Sequence, residues 1–167
     1  MRKIVSNPLK PAISFSMKTL LVPVDFSEST NLLVEKAGAI AGELGARVAL
    51  LHVTEPMASY VPVGASMDVL TPTPPPTEVL DVSILQERID ALVSDLRAKG
   101  LQADGKAISG LAVDDILDQA AVEKADYIVL GSHGHGALFH LFSGSVVTGV
   151  LKRATCPVIV VPVRRES

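Results

Sequence analysis

The residues best suited to chemistry gather in the last third of the chain. Gly131-Ser132-His133-Gly134-His135-Gly136 precedes Gly144-Ser145-Val146-Val147, with nine residues between Gly134 and Gly144. The apolar run Tyr127-Ile128-Val129-Leu130 leads into it and reads as a buried strand, and residues 145–154 read as a helix. Strand, glycine-rich loop and helix start together offer backbone N–H groups to an anion. Glycines permit close backbone approach and positive φ. Gly144-Ser145 falls where a helix exposes unpaired N–H groups and the positive end of its dipole. The pattern predicts a phosphate site. It contains no Gly-Lys-Ser/Thr sequence, so no fixed lysine would reach the phosphates. One helix terminus contributes only about 0.3–1 kcal/mol, up to ~2 when partly buried. Binding would therefore rest on several donors together: N–H groups, the Ser132 and Ser145 hydroxyls and the dipole, with or without a divalent ion.

A second chemical group is Asp25, directly after the first apolar run. Other reactive side chains read as structural. His52 ends a strand and is expected to pack. His133, His135 and His140 lack a third and fourth ligand of convincing spacing for zinc, so they read as loop histidines or weak phosphate contacts. Cys156, before Pro157, reads as a small packed residue. Asp114-Asp115 opens a helix, where carboxylates suit the dipole.

These groups need a scaffold. Residues 18–24 form an expected first strand, with Pro23 near its end because it cannot donate a ladder bond. Ser27 is the expected N-cap of a helix over 28–44 with Leu33, Ala37, Ile40, Ala41 and Leu44 on one face, closed by Gly45. Residues 47–53 form a second strand. The Pro-rich stretch 54–80 has no helical or strand period and reads as a flexible excursion. A helix over 82–99 and a weaker, edge-type strand within 101–109 follow. A helix over 113–124 buries Ile116, Leu117, Ala120 and Ala121. Residues 126–130 form the fourth strand, and 157–163 the fifth. Strands alternating with helices predict an α/β fold, a parallel sheet with helices on both faces. Ligands of such sheets bind beyond the carboxyl ends of the strands, where strand order reverses. If strands one and four are neighbours, Asp25 and the glycine loop share one crevice.

Composition agrees with a single domain of 167 residues. Only 4% of residues are aromatic against 48% hydrophobic, so the core must be aliphatic, as in parallel sheets. The net charge of −3 provides no general attraction for nucleic acid. One cysteine excludes an intrachain disulfide and fits a cytoplasmic setting. No apolar run approaches the ~20 residues of a membrane span, and residues 1–17 lack the apolar core of a signal peptide. Residues 1–17 read as a poorly ordered extension, with Met17 an alternative to Met1 as the start, and 164–167 as a tail.

The spacing Gly131-x-x-Gly134, nine residues, Gly144-Ser145 resembles the nucleotide signature of the ATP-binding branch of the universal stress protein family. Residues 21–29 (Leu-Val-Pro-Val-Asp-Phe-Ser-Glu-Ser), Leu51-His52-Val53 and 154–161 (Ala-Thr-Cys-Pro-Val-Ile-Val-Val) resemble other parts of that family. The resemblance covers residues 18–163. It implies an open five-stranded parallel sheet of order 3-2-1-4-5, Rossmann-like and similar to adenine nucleotide alpha hydrolases. It also implies a homodimer formed through the last strand, 157–163. Carried over by position, Asp25 would meet the ribose or a Mg2+-phosphate group, and the Val53 backbone would meet adenine. Pro23 and Val24 would wall the site, and Leu130 would lie against the base. Gly131, Gly134, Gly144 and Ser145, with or without Val146 and Val147, would hold the phosphates, and Ser132 and His133 complete the expected cofactor-binding set. Where many relatives carry Arg or Lys in the loop, this chain has His133 and His135. The resemblance implies a cytoplasmic, nucleotide-responsive stress regulator binding ATP or another adenine nucleotide, with little or no catalysis. The alternatives are a slow ATPase or phosphoryl or nucleotidyl transferase, and a dimeric interaction module that binds no nucleotide.

Overall fold

The computed structural model describes residues 17–55, 82–133 and 146–163. Five strands alternate with four helices: β1 (Thr19–Pro23), α1 (Thr30–Leu44), β2 (Arg47–Thr54), α2 (Val82–Ala98), β3 (Ala103–Ser109), α3 (Ala112–Val122), β4 (Tyr127–His133), α4 (Val146–Arg153) and β5 (Val158–Val163). All neighbouring strands pair in parallel, in the order β3-β2-β1-β4-β5. This is the order that the resemblance implies, and β1 and β4 are neighbours. The chain winds outward from β1 to β3, then restarts at β4 on the other side of β1.

Side chains alternate between the two faces of the sheet. Leu20, Val22, Val48, Leu50 and Val129 pack against α1 and α2 through Ala37, Ala41, Ile89 and Leu96. Leu21, Ala49, Leu51, Ile128 and Leu130 pack against α3 and α4 through Ile116, Ala120, Val147 and Val150. A strand covered on both faces must be apolar along its length, as the Leu20-Leu21-Val22 run of β1 is. Each fully buried side chain of this size contributes about 1.5–3 kcal/mol. α2 lies close on β3 because residue 105 is glycine, where a Cβ would stand 2.5 Å from Ile89 Cγ2.

Several boundaries differ from the sequence expectation, each for a local reason. α1 begins at Thr30, not after Ser27. Asp25 Oδ1 accepts the Ser27 N–H at 3.0 Å, and the Ser27 carbonyl accepts the Thr30 N–H at 3.0 Å. That turn uses residues 25–29, with Phe26 at φ 56°, a left-handed conformation that costs a side chain energy. Ser29 occupies the N-cap position without a side-chain cap bond, its hydroxyl 3.0 Å from that of Ser27. At the other end Gly45 adopts φ 59° and closes the helix as expected. Leu44 and Ala121, expected to face inward, are exposed near the ends of their helices. α3 stops at Val122, where Glu123 turns back to Arg47 and Lys106 and Lys124 enters the left-handed region.

The more informative shift is in β4. The strand continues through Gly131, Ser132 and His133, which pair with Val161, Pro162 and Val163 of β5. The segment expected to open the loop is thus strand, held by the length of β5. β2 likewise runs through Thr54, one residue into the expected excursion. Residues 56–80 of that excursion, residues 1–16 of the extension and the tail 164–167 lie outside the described residues.

Candidate functional site

A pocket of about 340 Å³ opens at the carboxyl ends of β1 and β4, where strand order reverses. β1 ends at Pro23, opposite Leu51, and the Val24 N–H makes one more bond to the Leu51 carbonyl at 2.8 Å. Val24 and Asp25 then leave the sheet and line the pocket. β2 runs on beyond the end of β1. Successive peptide groups of a strand point to alternate neighbours. The Leu51 carbonyl bonds toward β1 and the Thr54 carbonyl accepts the Gly110 N–H at 2.9 Å on the β3 side. Val53 shares the parity of Leu51, so its N–H and C=O face the space that β1 has vacated. That space is the pocket, and Val53 lines it.

On the opposite wall stand Leu130 and Gly131 of β4, and Val146 and Val147 at the start of α4. Gly131 does not use a positive φ; among the described glycines only Gly45 and Gly100 do. Its contribution is space. A Cβ there would lie 3.3 Å from Val163 and 3.5 Å from Leu33, both pocket residues. A helix start carries N–H groups without intrahelical partners and a partial positive charge, and α4 begins at this wall. Its basic residues, Lys152 and Arg153, are in the last turn, at the other end.

Eight residues proposed from the sequence therefore line one pocket: Pro23, Val24, Asp25, Val53, Leu130, Gly131, Val146 and Val147. Ser132 is half-buried in β4 and is not among the described residues lining the pocket, and the backbone of His133 pairs with Val163. Gly134, Gly144 and Ser145 lie outside the described residues, as do His135 and His140.

Other lining residues were not anticipated. Thr30 donates from Oγ1 to Asp25 Oδ1 at 3.3 Å, so one carboxylate oxygen is oriented by both the turn and the first residue of α1. The Asp25-x-Ser-x-x-Thr30 spacing, a carboxylate five residues before a hydroxyl at a helix start, was the available signal. Glu55 lines the rim directly after β2. Ala112 and Ile116 of α3 reach the pocket through tertiary packing, which no local pattern announces.

The candidate reactive groups elsewhere have structural occupations. His52 donates from Nδ1 to the Val24 carbonyl at 2.8 Å and stacks on Phe26 at 4.5 Å between centroids. Arg88 covers Phe26 at 4.0 Å, tying α2 to the turn that carries Asp25. Asp115 accepts the Leu111 N–H at 2.6 Å and Asp114 pairs with Arg153 at 2.6 Å. Burial pushes the Cys156 thiol above its ordinary range, which disfavours a reactive thiolate. Among the described residues, no group of three or more His, Cys, Asp or Glu side chains could hold a metal ion, and no helix is long and apolar enough to cross a membrane.

Residues 17–162 match the model of the Universal stress protein family. The chain belongs to that family. A universal stress protein of Thermus aquaticus, named for the QAH/OAS sulfhydrylase 3′ region, is 30% identical over 155 residues, spanning 86% of this chain and 98% of the relative. The universal stress protein A homolog 2 of Coxiella burnetii is 31% identical over 153 residues, spanning 88% and 96%. Among solved structures, a universal stress protein in complex with cAMP superimposes with a TM-score of 0.65 at 21% identity, covering 88% of this chain and 98% of the other. The Archaeoglobus fulgidus universal stress protein in complex with dAMP gives 0.59 at 24% identity, covering 87% and 97%. At such identities the structural likeness carries the fold.

Proposed function

We propose that this universal stress protein binds an adenine nucleotide in the pocket between β1 and β4, and that occupancy acts as a signal in a stress response. ATP, with Mg2+ at Asp25, is the leading ligand. The observation that carries the reading is the convergence of Asp25, Val53, Gly131 and the start of α4 on a single apolar-walled pocket at the switch point. Its volume falls within the usual range for small-molecule sites, roughly 300–1,000 Å³. The lining fits the parts of a nucleotide. Val24, Leu51 and Leu130 offer a wall for a base, and the Val53 peptide offers hydrogen bonds to its edge. Asp25, oriented by Ser27 and Thr30, suits a ribose hydroxyl or a phosphate-bound Mg2+. The start of α4, with Gly131, Gly134, Gly144, Ser145 and the neighbouring Ser132 and His133, is the proposed phosphate end. That relatives of known fold bind cAMP and dAMP supports an adenine ligand here.

In this reading the protein is a cytoplasmic homodimer joined through residues 157–163, and ligand shifts its balance of conformations by binding them unequally. Hydrolysis is slow or absent. Efficient phosphoryl transfer needs strong charge neutralisation, and no Lys or Arg is among the described residues of the pocket. Thermal denaturation tests the reading. Saturation at 100 times the dissociation constant adds about 2.7 kcal/mol, so Mg2+-ATP raises the melting temperature by several degrees. No shift with ATP, AMP or cAMP contradicts it. Sustained turnover at ~1–100 per second, usual for kinases, would make the protein an enzyme instead.

A further inference from the structure

Two non-glycine residues among those described adopt a left-handed backbone, Phe26 at φ 56° and Lys124 at φ 50°. Lys124 follows α3, where its N–H and that of Ala125 bond the Ala121 and Ala120 carbonyls at 3.2 and 2.8 Å, an ordinary way to end a helix. Phe26 precedes a helix, and a bulky side chain is costly in that conformation. A residue held this way persists when its surroundings over-determine it, and such residues cluster at ligand sites. The surroundings of Phe26 are aromatic and cationic. Its ring meets that of His52 in β2 at 4.5 Å between centroids, and the Arg88 guanidinium of α2 at 4.0 Å. His52 Nδ1 also donates to the Val24 carbonyl at 2.8 Å. Two other elements thus grip the turn at residues 24 and 26, the neighbours of Asp25 in the chain.

We propose that Phe26 is a positioning residue for the pocket: held by His52 and Arg88, it fixes the turn that brings Asp25 to the ribose or metal-phosphate group of the ligand. This rests on the adenine-nucleotide reading above. Val24, Asp25, Ser29 and Thr30 of this segment line the pocket. Phe26 packs instead against the core beneath α1 and α2. With residue 26 at an ordinary negative φ, the chain would leave Asp25 in another direction. The bonds from the Ser27 N–H and Thr30 Oγ1 to Asp25 Oδ1, at 3.0 and 3.3 Å, would then be lost. Phe26 therefore acts on the ligand through Asp25 rather than by touching it.

NMR titration of the full chain with adenosine, AMP and Mg2+-ATP, which follows dissociation constants into the millimolar range, tests the proposal in a double-mutant cycle. The cycle pairs Phe26→Ala with Asp25→Ala, and circular dichroism checks that each protein is folded at the temperature used. Phe26→Ala weakens Mg2+-ATP binding roughly tenfold, and Phe26→Tyr, which keeps the ring, stays within about twofold of wild type. In the Asp25→Ala background, Phe26→Ala weakens binding by less than about twofold, because the residue it acts through is already gone. A role in folding alone would move the melting temperature and leave the affinity of the folded protein unchanged. Phe26→Leu, which keeps apolar bulk without the aromatic face, runs the same cycle if Phe26→Ala does not fold. Unchanged affinity in the folded Phe26 variant, or an equal loss with and without Asp25, overturns the positioning role and leaves nucleotide binding standing. Failure of every adenine ligand to bind the wild type removes the nucleotide reading, and this inference with it.

Discussion

Gly131 contributes to the pocket by having no side chain. It sits within β4 rather than in a loop, and what it provides is the absence of a side chain between Leu33 and Val163. Gly131→Val should weaken adenine-nucleotide binding at least tenfold by filling that space. The added methyl groups also crowd Val163, so stability should fall by about 1–3 kcal/mol, read from urea denaturation. Unchanged affinity in the folded variant would remove Gly131 from the site. Asp25 works differently, because its Oδ1 already accepts from the Ser27 N–H and Thr30 Oγ1. Asp25→Ala leaves those donors without that acceptor and should cost about 1 kcal/mol of stability, in addition to any loss of binding. Circular dichroism melts of the ligand-free variant would detect it. The importance of Asp25 was legible in the sequence from its place after an apolar run. Its link to Thr30 was not, because the position of a helix start depends on how the turn before it closes.

At the scale of elements, the strands and helices announced themselves through apolar runs and period, and their order along the chain was readable from sequence. Strand order was another matter. Nothing local in Leu20-Leu21-Val22 says that β4 is its neighbour; that came with the family resemblance. Sequence also could not anticipate that β4 extends to His133, since pairing with Val161, Pro162 and Val163 is a contact across about thirty residues of chain. The opposite, amino-terminal end of the sheet is held by charge. Arg47 pairs with Asp104 at 2.7 Å and Glu123 at 2.6 Å, and Lys106 reaches Glu123 at 3.2 Å, joining β2, β3 and the end of α3. The Arg47 hydrogen bond holds the Glu123 carboxyl below its ordinary value of 4.5. The folded state therefore binds this proton less readily than the unfolded chain. The contribution is fully present above about pH 4.5 and is lost as pH falls through the lowered folded value. Glu123→Gln should flatten the acid limb of the stability curve relative to wild type, as measured by urea denaturation between pH 7 and pH 3. Because the network is partly exposed, the effect should be at most about 1 kcal/mol. Packing sets a larger one: Gly105→Ala drives a Cβ into Ile89 and should cost about 1–3 kcal/mol.

For the whole molecule, the fold places its charged clasp at one end of the sheet and its pocket at the other, so stability and binding are separable by mutation. β5 is an edge strand with Val160 36% exposed, an apolar edge of the kind that proteins cover. If that edge joins two copies, Val160→Lys should convert a dimer to a monomer in sedimentation velocity while leaving the helical signal intact; a wild-type monomer would refute the dimer. The central claim is that an adenine nucleotide occupies the pocket between β1 and β4. The most direct measurement is to denature protein purified without added ligand, identify what is released by mass spectrometry, and repeat the experiment with Gly131→Val. Adenine nucleotide approaching one per wild-type chain, and little from the variant, is the predicted result. Equal release from both would place the nucleotide elsewhere, and no release from wild-type protein that also fails to bind added adenine nucleotide would contradict the account.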